Sequence, residues 1–346
     1  MKHRIEFDGQ DVYVGIDTHK EKYVYTAIYD NQIVKRVTFN GEQKEFVKAL
    51  LHTFKGAKLH TAYEAGFIGN SLHRRFEERG VNNIVVNPAS IEVATNDKVK
   101  TDKRDSKKIA EQLCFGRLKP NHIPSKEQEL CRKISRGRTQ FVEKRKAVGN
   151  QIKATIYEFD LMHISSKKKM SESLLKKIET LPVGDELEFY LTEMIDEWRH
   201  LSQKIKLFGR KLKEQAMRDK NEEILRSVPG VGEQSSRTLS NELGDMSHFK
   251  SKRAAYCYTG LTPGEHSSGG HTRRGHISRQ GSSRLRAILV EIAWRAIRKD
   301  HSLKEMYDRI KSTRGGKRAI VGVARAMIGR IRKCLMTNEL WQSDPA

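Results

Sequence analysis

The sequence contains few of the features that mark secreted, zinc-binding or membrane proteins. Its four cysteines, Cys114, Cys131, Cys257 and Cys334, are far apart and form no CxxC pair, which argues against a zinc knuckle or a disulfide framework. No apolar run approaches the roughly 18 residues of a membrane span. Residues 1–11 are charged and polar, so they lack the apolar segment of a secretion signal. We therefore expect a cytoplasmic protein with reduced thiols and no membrane partner.

Basic residues are the most abundant feature of the composition. The chain of 346 residues carries 66 Lys and Arg against 43 Asp and Glu, a formal net charge of +23. Such a surplus favours a polyanionic partner, because each neutralised phosphate releases condensed counterions. A role in solubility alone is the weaker interpretation, since acidic residues serve solubility better than basic ones. The composition therefore points to nucleic acid.

The N-terminal third alternates between strand and helix patterns, and we assign residues 1–124 to one α/β domain. Three strands come first, then helix, strand, helix, strand and helix; this is the element order of RuvC and RNase H domains. The predicted strands are 12–16, 22–29, 32–39, 59–63 and 83–86, and the predicted helices are 42–54, 68–80 and 102–117.

The middle of the chain, residues 125–222, is long, charged and favourable to helices. Apolar residues recur there at alternating spacings of four and three, which predicts a coiled-coil helix. This seam consists of Leu187, Leu191, Met194, Trp198, Leu201, Ile205, Phe208 and Leu212. Its partner is either a looser pattern between Leu130 and Phe159 or a second copy of the chain. Residues 223–346 form a third, mainly helical domain.

Four carboxylates occupy positions typical of a metal site. Asp17 and Glu64 lie where two predicted strands end, and such ends meet at one sheet edge. Asp102 and Asp105 are three residues apart at a helix start, so they share a face. Two carboxylates at about 4 Å repel by roughly 4 kcal/mol at an effective dielectric of 20, a cost that Mg²⁺ or Mn²⁺ would offset. Taken singly, each could be a turn, loop or capping residue.

Two glycine-containing segments of the third domain could hold phosphate groups. In the loop Gly264–Ser283, Gly269 and Gly270 allow backbone N–H groups to converge, and Arg273, Arg274 and Arg279 add charged donors. A serine there could attack phosphorus if a base such as His266 or a metal assisted it. On motif chemistry alone, a basic loop that holds the DNA backbone is the favoured alternative.

The second segment is the turn Pro229–Gly232, which resembles a helix-hairpin-helix. In such a turn Gly230 and Gly232 would present N–H groups to phosphate without reading bases. A plain interhelical turn is nearly as good an interpretation.

Together these motifs resemble the DEDD transposases of the IS110 family of insertion sequences, relatives of the Piv/MooV DNA invertases. The resemblance rests on Asp17, Glu64, Asp102 and Asp105, on the Pro229–Gly232 turn, and on the Gly260–Pro263 and Ser267–Ser278 stretches. It spans nearly the whole chain, and the C-terminal stretch is its most specific part.

The resemblance implies a RuvC-like domain, a coiled coil and a C-terminal transposase domain. It implies a recombinase that uses Mg²⁺ or Mn²⁺ at the four carboxylates and a serine that bonds covalently to DNA. The serine before the glycine pair fits that role, so it falls to Ser268, with Ser267 as its neighbouring alternative. The implied partners are donor and target DNA, a non-coding bridge RNA that pairs with both, and further copies in a dimer or tetramer. Association with the nucleoid would follow from binding DNA.

Three other functions are open from the residues. A metal-only nuclease, such as a RuvC-like junction resolvase, would use the carboxylates with water as the attacking group. A non-catalytic architectural protein would bind nucleic acid through its charge alone. A tyrosine recombinase is the weakest, because Tyr256, Tyr258 and Tyr307 have no convincing Arg/His constellation around them.

Overall fold

The computed structural model describes residues 6–92, 101–165, 167–265 and 274–343. The chain divides into two compact units, residues 1–123 and 124–346. The predicted further division of the second unit near residue 222 stays a prediction. Among the described residues, no helix has both the length and the apolar character needed to cross a membrane.

The first unit is built on a five-stranded mixed sheet. In chain order its elements are β1 (Asp11–Thr18), β2 (Lys22–Tyr29), β3 (Gln32–Asn40), α1 (Gln43–Thr53), β4 (Lys58–Glu64), α2 (Ser71–Glu77), β5 (Asn82–Val86), a 3₁₀ turn (Pro88–Ser90) and α3 (Asp102–Cys114). The strand order is β3-β2-β1-β4-β5; β1 is antiparallel to β2 and parallel to β4. Every predicted element is present, although α2 is shorter than the predicted helix over 68–80.

Helices cover both faces of this sheet, because its strands carry apolar side chains on both. Val14 and Ile16 of β1 belong to one buried cluster with Phe46 of α1. On the opposite face, Ala62 of β4 packs in a second cluster with Ile109 of α3. Successive residues of a strand point to opposite faces, so odd-numbered residues of β1 face α3. Asp17, the predicted site residue on β1, therefore faces α3.

Helix α3 approaches β1 most closely at Gly15. A Cβ atom at this position would lie 2.2 Å from the backbone nitrogen of Ala110 and 2.3 Å from the carbonyl oxygen of Ser106. Only glycine permits that approach. Beside it, the hydroxyls of Thr26 and Ser106 lie 2.9 Å apart and are buried. This contact fixes the N-terminal turn of α3 relative to the end of β1.

The second unit begins with two long helices that pack along each other. Helix α4 (Lys126–Glu158) and helix α6 (Asp185–Ala216) are separated by the short α5 (Glu172–Glu179). Five residues of the predicted seam on α6 are buried, namely Leu191, Trp198, Leu201, Ile205 and Leu212. The looser pattern on α4 is less regular, since Leu130 and Phe159 are exposed. The seam of α6 is thus at least partly covered by α4 of the same chain.

Six helices and a hairpin form the rest of the second unit as described. They are α7 (Glu222–Ser227), α8 (Glu233–Leu243), α9 (Lys252–Thr259), β6 (Pro263–Glu265), β7 (Arg274–Ile277), α10 (Ser283–Ala296), α11 (His301–Arg314) and α12 (Gly316–Thr337). Their buried core runs from Ile224 of α7 through Leu289 of α10 to Met327 of α12. The structure confirms a mainly helical C-terminal region.

A buried arginine joins α8 to the start of α7. The Arg237 side chain is only 2% exposed. Its Nε donates to Glu222 Oε2 at 2.6 Å, and its Nη2 donates to Asp219 Oδ2 at 2.7 Å. Burial alone would raise the pKa of Asp219, but hydrogen bonds from Ser240 and Arg237 lower it below its usual value. This network holds the two helices on either side of the Pro229–Gly232 turn.

We expect Gly15→Ala to destabilise the first unit by about 1–3 kcal/mol or more, because the added methyl group must push α3 away from β1. Thermal or urea unfolding measures the loss. Gly66→Ala is the matched control, since a Cβ at residue 66 meets its nearest neighbour at an ordinary 3.8 Å. Equal stability of the two variants would contradict the close approach.

We expect Arg237→Ala to cost about 3–5 kcal/mol at neutral pH, because it leaves buried carboxylates without their partner. The depressed pKa of Asp219 means that its stabilising contribution is lost as the pH falls below the usual value of 3.8. The gap between variant and wild type should therefore narrow in acid, as followed by melting temperature.

Arg199→Ala is the control for this measurement. Arg199 also pairs with two carboxylates, Glu172 and Glu179, both at 2.6 Å, but on an exposed surface. We expect a loss of about 1 kcal/mol or less there. A similar loss in both variants would show that burial of Arg237 is not what matters.

Candidate functional site

The sheet places two of the predicted carboxylates side by side. Ile16 of β1 is paired with Tyr63 of the parallel strand β4. Asp17 and Glu64 are the next residues of these strands, so both lie at the same edge of the sheet. Alternation along the strands directs both toward the face that α3 covers. The sequence prediction that these strand ends converge is consistent with this register.

Helix α3 brings the other two carboxylates to this face. Asp102 is its first residue and Asp105 lies in its first turn. The N-cap is Thr101, whose side chain accepts a hydrogen bond from the Arg104 N–H at 3.4 Å. Asp102 is therefore not needed as the cap, and its carboxylate is available for other contacts. Negative charge is also favourable at this end of a helix.

Two basic side chains contact this acidic group, His19 from the β1–β2 turn and Lys22 from the start of β2. Nε2 of His19 lies 3.3 Å from Asp17 Oδ2 and 3.1 Å from Asp102 Oδ2. The Lys22 ammonium donates to Asp102 Oδ2 at 2.7 Å. A tight turn, closed by a bond from the His19 N–H to the Lys22 carbonyl at 2.9 Å, places both side chains. Asp102 thus meets an imidazole and an ammonium at the same oxygen.

The pKa values of Asp17 and Asp102 are shifted in opposite directions. Burial raises the pKa of Asp17; His19 offsets part of that rise, and the like charges of Asp102 and Asp105 add to it. The hydrogen bond from Lys22 lowers the pKa of Asp102. One carboxyl is therefore partly desolvated and repelled by its neighbours, while the other is held ionised.

The donor atoms of this site fit a divalent metal. One ligand atom each from Asp17, His19 and Asp102 lie within 4.8 Å of one another. Nε2 of His19 is buried and has no hydrogen-bond partner of good geometry among the described residues, although it lies between two carboxylates. Carboxylate oxygens suit Mg²⁺ and Mn²⁺. Glu64 and Asp105 lie outside this group of three.

Neither His19 nor Lys22 was among the residues predicted from the sequence. A signal for His19 was present, because residues 17 and 19 are two apart and an extended chain turns such residues to the same side. Lys22 could not be assigned in this way. Its contact with Asp102 depends on where α3 lies, and α3 comes 80 residues later in the chain.

The predicted loop Gly264–Ser283, which we call the serine loop, includes most of the short strands β6 and β7. Strands β6 and β7 are antiparallel, with Pro263 paired to Ile277. The N–H of Ser278 donates to the Thr262 carbonyl at 2.8 Å and so extends this pairing. We call the two strands and this bond the stem. Arg279 follows it, exposed and with a left-handed φ of 57°. Four predicted site residues, Ser268, Gly269, Gly270 and Arg273, lie outside the described residues, as do Ser267 and His266. Arg274 is the first residue of β7.

The turn between α7 and α8 has a clear packing function. Gly230 is buried with φ +79°, and a Cβ there would lie 2.7 Å from the Ile292 carbonyl of α10. Gly232 already donates its N–H to the Ser235 hydroxyl at 2.8 Å. Binding of phosphate by these two glycines stays a prediction.

Two family models match the chain. A DEDD transposase model of the IS110 type matches residues 14–159, which include all four carboxylates. The model described as "Transposase IS116/IS110/IS902 family" matches residues 222–308, which include the turn, the serine loop and α10.

Similar proteins carry transposase names. A putative transposase, y4qE, of Sinorhizobium fredii is 27% identical over 83% of this chain and 72% of its own length. The transposase for insertion sequence element IS1533 of Leptospira borgpetersenii is 27% identical over 82% of this chain and 84% of its own length. That for IS1111A of Coxiella burnetii is 25% identical over 74% of this chain and 71% of its own length. Together the two family models match residues 14–159 and 222–308, and the chain belongs to the IS110 family of DEDD transposases.

Proposed function

We propose that this protein is a metal-dependent transposase that cuts and rejoins DNA strands. In this proposal Ser268 is the nucleophile, and the metal is held by Asp17, Glu64, Asp102 and Asp105. The observation that carries the metal site is the convergence of Asp17, His19 and Asp102, whose ligand atoms lie within 4.8 Å of one another. Carboxylates gathered at such distances repel each other, and a bound metal ion would offset that repulsion. The family membership supplies DNA as the substrate.

The strand order of the first unit supports a RuvC-like fold for it. Three antiparallel strands are followed by two parallel ones, in the order β3-β2-β1-β4-β5, and the carboxylates lie at the ends of β1 and β4 and the start of α3. Ligand sites of α/β sheets form at the carboxyl ends of strands.

In this proposal the four carboxylates hold Mg²⁺ or Mn²⁺. The bound cations would stabilise charge on the attacking and leaving oxygens of a phosphodiester. Ser268 loses its hydroxyl proton and its oxygen bonds to phosphorus, while the bond from phosphorus to the leaving strand breaks. The leaving oxygen takes up a proton, so the cut strand ends in a hydroxyl. The phosphoserine bond conserves the energy needed for rejoining.

The remaining partners of the proposal rest on the family resemblance. They are donor and target DNA, a bridge RNA that pairs with both, and further copies of the chain in a dimer or tetramer. The net charge of +23 supports polyanionic partners. Binding to DNA would place the protein at the nucleoid. Co-purification of a discrete RNA with the protein tests the guide.

We expect Asp17→Asn and Asp102→Asn each to weaken Mn²⁺ binding at least about tenfold, because each removes a charged ligand. Titration of Mn²⁺ followed by paramagnetic resonance measures this without any DNA. Asp11→Asn is the matched control. Asp11 also contacts a histidine, His60, at 2.8 Å on the same sheet, but this pair is outside the acidic group.

Strand cleavage should likewise be weakened in Asp17→Asn and Asp102→Asn and kept in Asp11→Asn. Chelation should abolish it, and Mg²⁺ or Mn²⁺ should restore it. Cleavage that persists in excess chelator, or Mn²⁺ affinity unchanged in Asp17→Asn, would refute the metal site.

We expect Ser268→Ala to abolish a covalent protein–DNA adduct, because the variant lacks the attacking oxygen. Protein, Mg²⁺, guide RNA and labelled substrate DNA are mixed, and denaturing electrophoresis detects the adduct. Ser267→Ala is the neighbouring control and should still form it. An adduct formed by Ser268→Ala but lost in Ser267→Ala would move the nucleophile by one residue.

The alternative function, a metal-only nuclease, makes a different prediction for the same experiment. Water would attack in place of serine, so wild-type protein would release free ends and form no adduct. Asp17→Asn would then abolish cleavage, and Ser268→Ala would reduce it only partly. The four carboxylates favour the metal-only nuclease as much as they favour the transposase with a serine nucleophile. The presence or absence of the covalent protein–DNA adduct therefore decides between the two functions.

A further inference from the structure

A second buried carboxylate, outside the acidic site, lies on helix α8. Glu242 is 1% exposed. Arg136 of α4 binds it with two parallel hydrogen bonds, from Nε to Oε1 and from Nη2 to Oε2, both 2.7 Å long. This bidentate pair alone neutralises the carboxylate. Correspondingly, the hydrogen bonds that Arg136 donates to Glu242 raise the pKa of Arg136.

Two more guanidinium groups surround this pair. Arg132 donates to the backbone carbonyls of Asn241 and Glu242, both at 2.9 Å. Arg284, in the first turn of α10, has its Nε 4.0 Å from Glu242 Oε1. Three positive charges therefore meet one negative charge. We call Arg132, Arg136, Arg284 and Glu242 the arginine cluster.

The donor groups of Arg284 are not all satisfied. Its Nη1 is buried and has no hydrogen-bond partner among the described residues, and its Nε is beyond hydrogen-bond distance from Glu242. An unpaired buried donor is unfavourable, and one on a charged group more so. The Arg284 side chain as a whole is nevertheless 29% exposed. An anion can therefore reach its exposed atoms, where it would offset the excess positive charge of the cluster.

Arg284 comes shortly after strand β7, on a segment that packs against the end of α9. The N–H of Ser282 donates to the Tyr258 carbonyl at 2.9 Å, and Arg286 Nη1 donates to the Thr259 carbonyl at 3.3 Å. A Cβ at Gly281 would lie 2.4 Å from the Tyr258 carbonyl, so the backbone between β7 and α10 is packed directly on the end of α9. These contacts fix the start of α10, which carries Arg284, beside the end of α9.

We propose that Arg284, positioned beside the Arg136–Glu242 pair, binds a backbone phosphate of the DNA strand on which the serine loop acts. Guanidinium groups bind phosphate with paired hydrogen bonds, and such contacts fix the position of a strand without reading its sequence. The arginine cluster is then a phosphate subsite. This proposal rests on the proposed function, because that function supplies the DNA strand.

The test measures binding of a fluorescent DNA duplex by anisotropy over a range of salt concentrations, in excess chelator. Each lost phosphate contact lowers the slope of log Kd against log salt by about 0.9. We expect Arg284→Ala to lower the slope by about that amount and to weaken binding about tenfold. Arg284→Lys should keep the slope, because the charge remains, and should lose less affinity.

Arg199→Ala is the control for the loss of one positive charge. Arg199 lies on α6 and is neutralised by Glu172 and Glu179. We expect its slope to match that of the wild type. If both variants lower the slope equally, net charge rather than a subsite explains the result, and the proposal is overturned. An unchanged slope in folded Arg284→Ala overturns it as well.

Two further arms make the result decisive. If Arg284→Ala melts below the assay temperature, Arg284→Gln, which keeps most of the side chain without its charge, is measured in its place against the same criterion. A duplex RNA is run in parallel, and a change of slope confined to RNA would contradict the assignment to DNA. Because chelator prevents cleavage, a failed Ser268 adduct would leave this result unaffected.

Discussion

The direct contact between α3 and β1 is the constraint on which the acidic site depends. Gly15 lets the backbone of Ala110 and Ser106 approach to a distance that no side chain could accept. Two residues further along β1, Asp17 meets the first turn of the same helix. A helix held farther away would separate Asp102 from Asp17 and leave His19 without one of its two carboxylates. The packing of α3 on β1 at Gly15 therefore also sets the distance between Asp17 and Asp102.

Arginine serves two different purposes in the second unit. Arg237 is buried against two carboxylates, so its charge is fully neutralised and its effect is on stability. Around Glu242 the balance is reversed, because Arg136 alone binds the carboxylate while Arg132 and Arg284 add positive charge beside it. Arg136 and Arg284 also keep 44% and 29% of their side chains exposed, against 2% for Arg237. Charge balance and exposure together separate the structural arginine from those available to a phosphate.

The sequence predicted the elements of the first unit well and their contacts poorly. The strands were found because period-two alternation and turn residues are local signals; β2 has the predicted limits, 22–29. Helix α2 starts later than predicted, at Ser71, because Gly69 has a left-handed φ of 59°. Helix α11 of the second unit carries a local signal of the same kind, because Asp300 caps it by accepting from the Leu303 N–H. Lys22 and Arg284 were beyond prediction, because their partners lie far away in sequence and depend on packing.

The opposite pKa shifts of Asp17 and Asp102 show how the acidic site tolerates its own charge. Lys22 already satisfies Asp102, so that carboxylate stays ionised, whereas burial and two neighbouring carboxylates make ionisation of Asp17 unfavourable. His19 compensates Asp17 only in part, because its Nε2 is divided between two oxygens. Asp17, on β1, therefore has fewer positive neighbours than Asp102, at the start of α3. The proposed metal ion would add positive charge at the sheet edge where Glu64 also ends its strand.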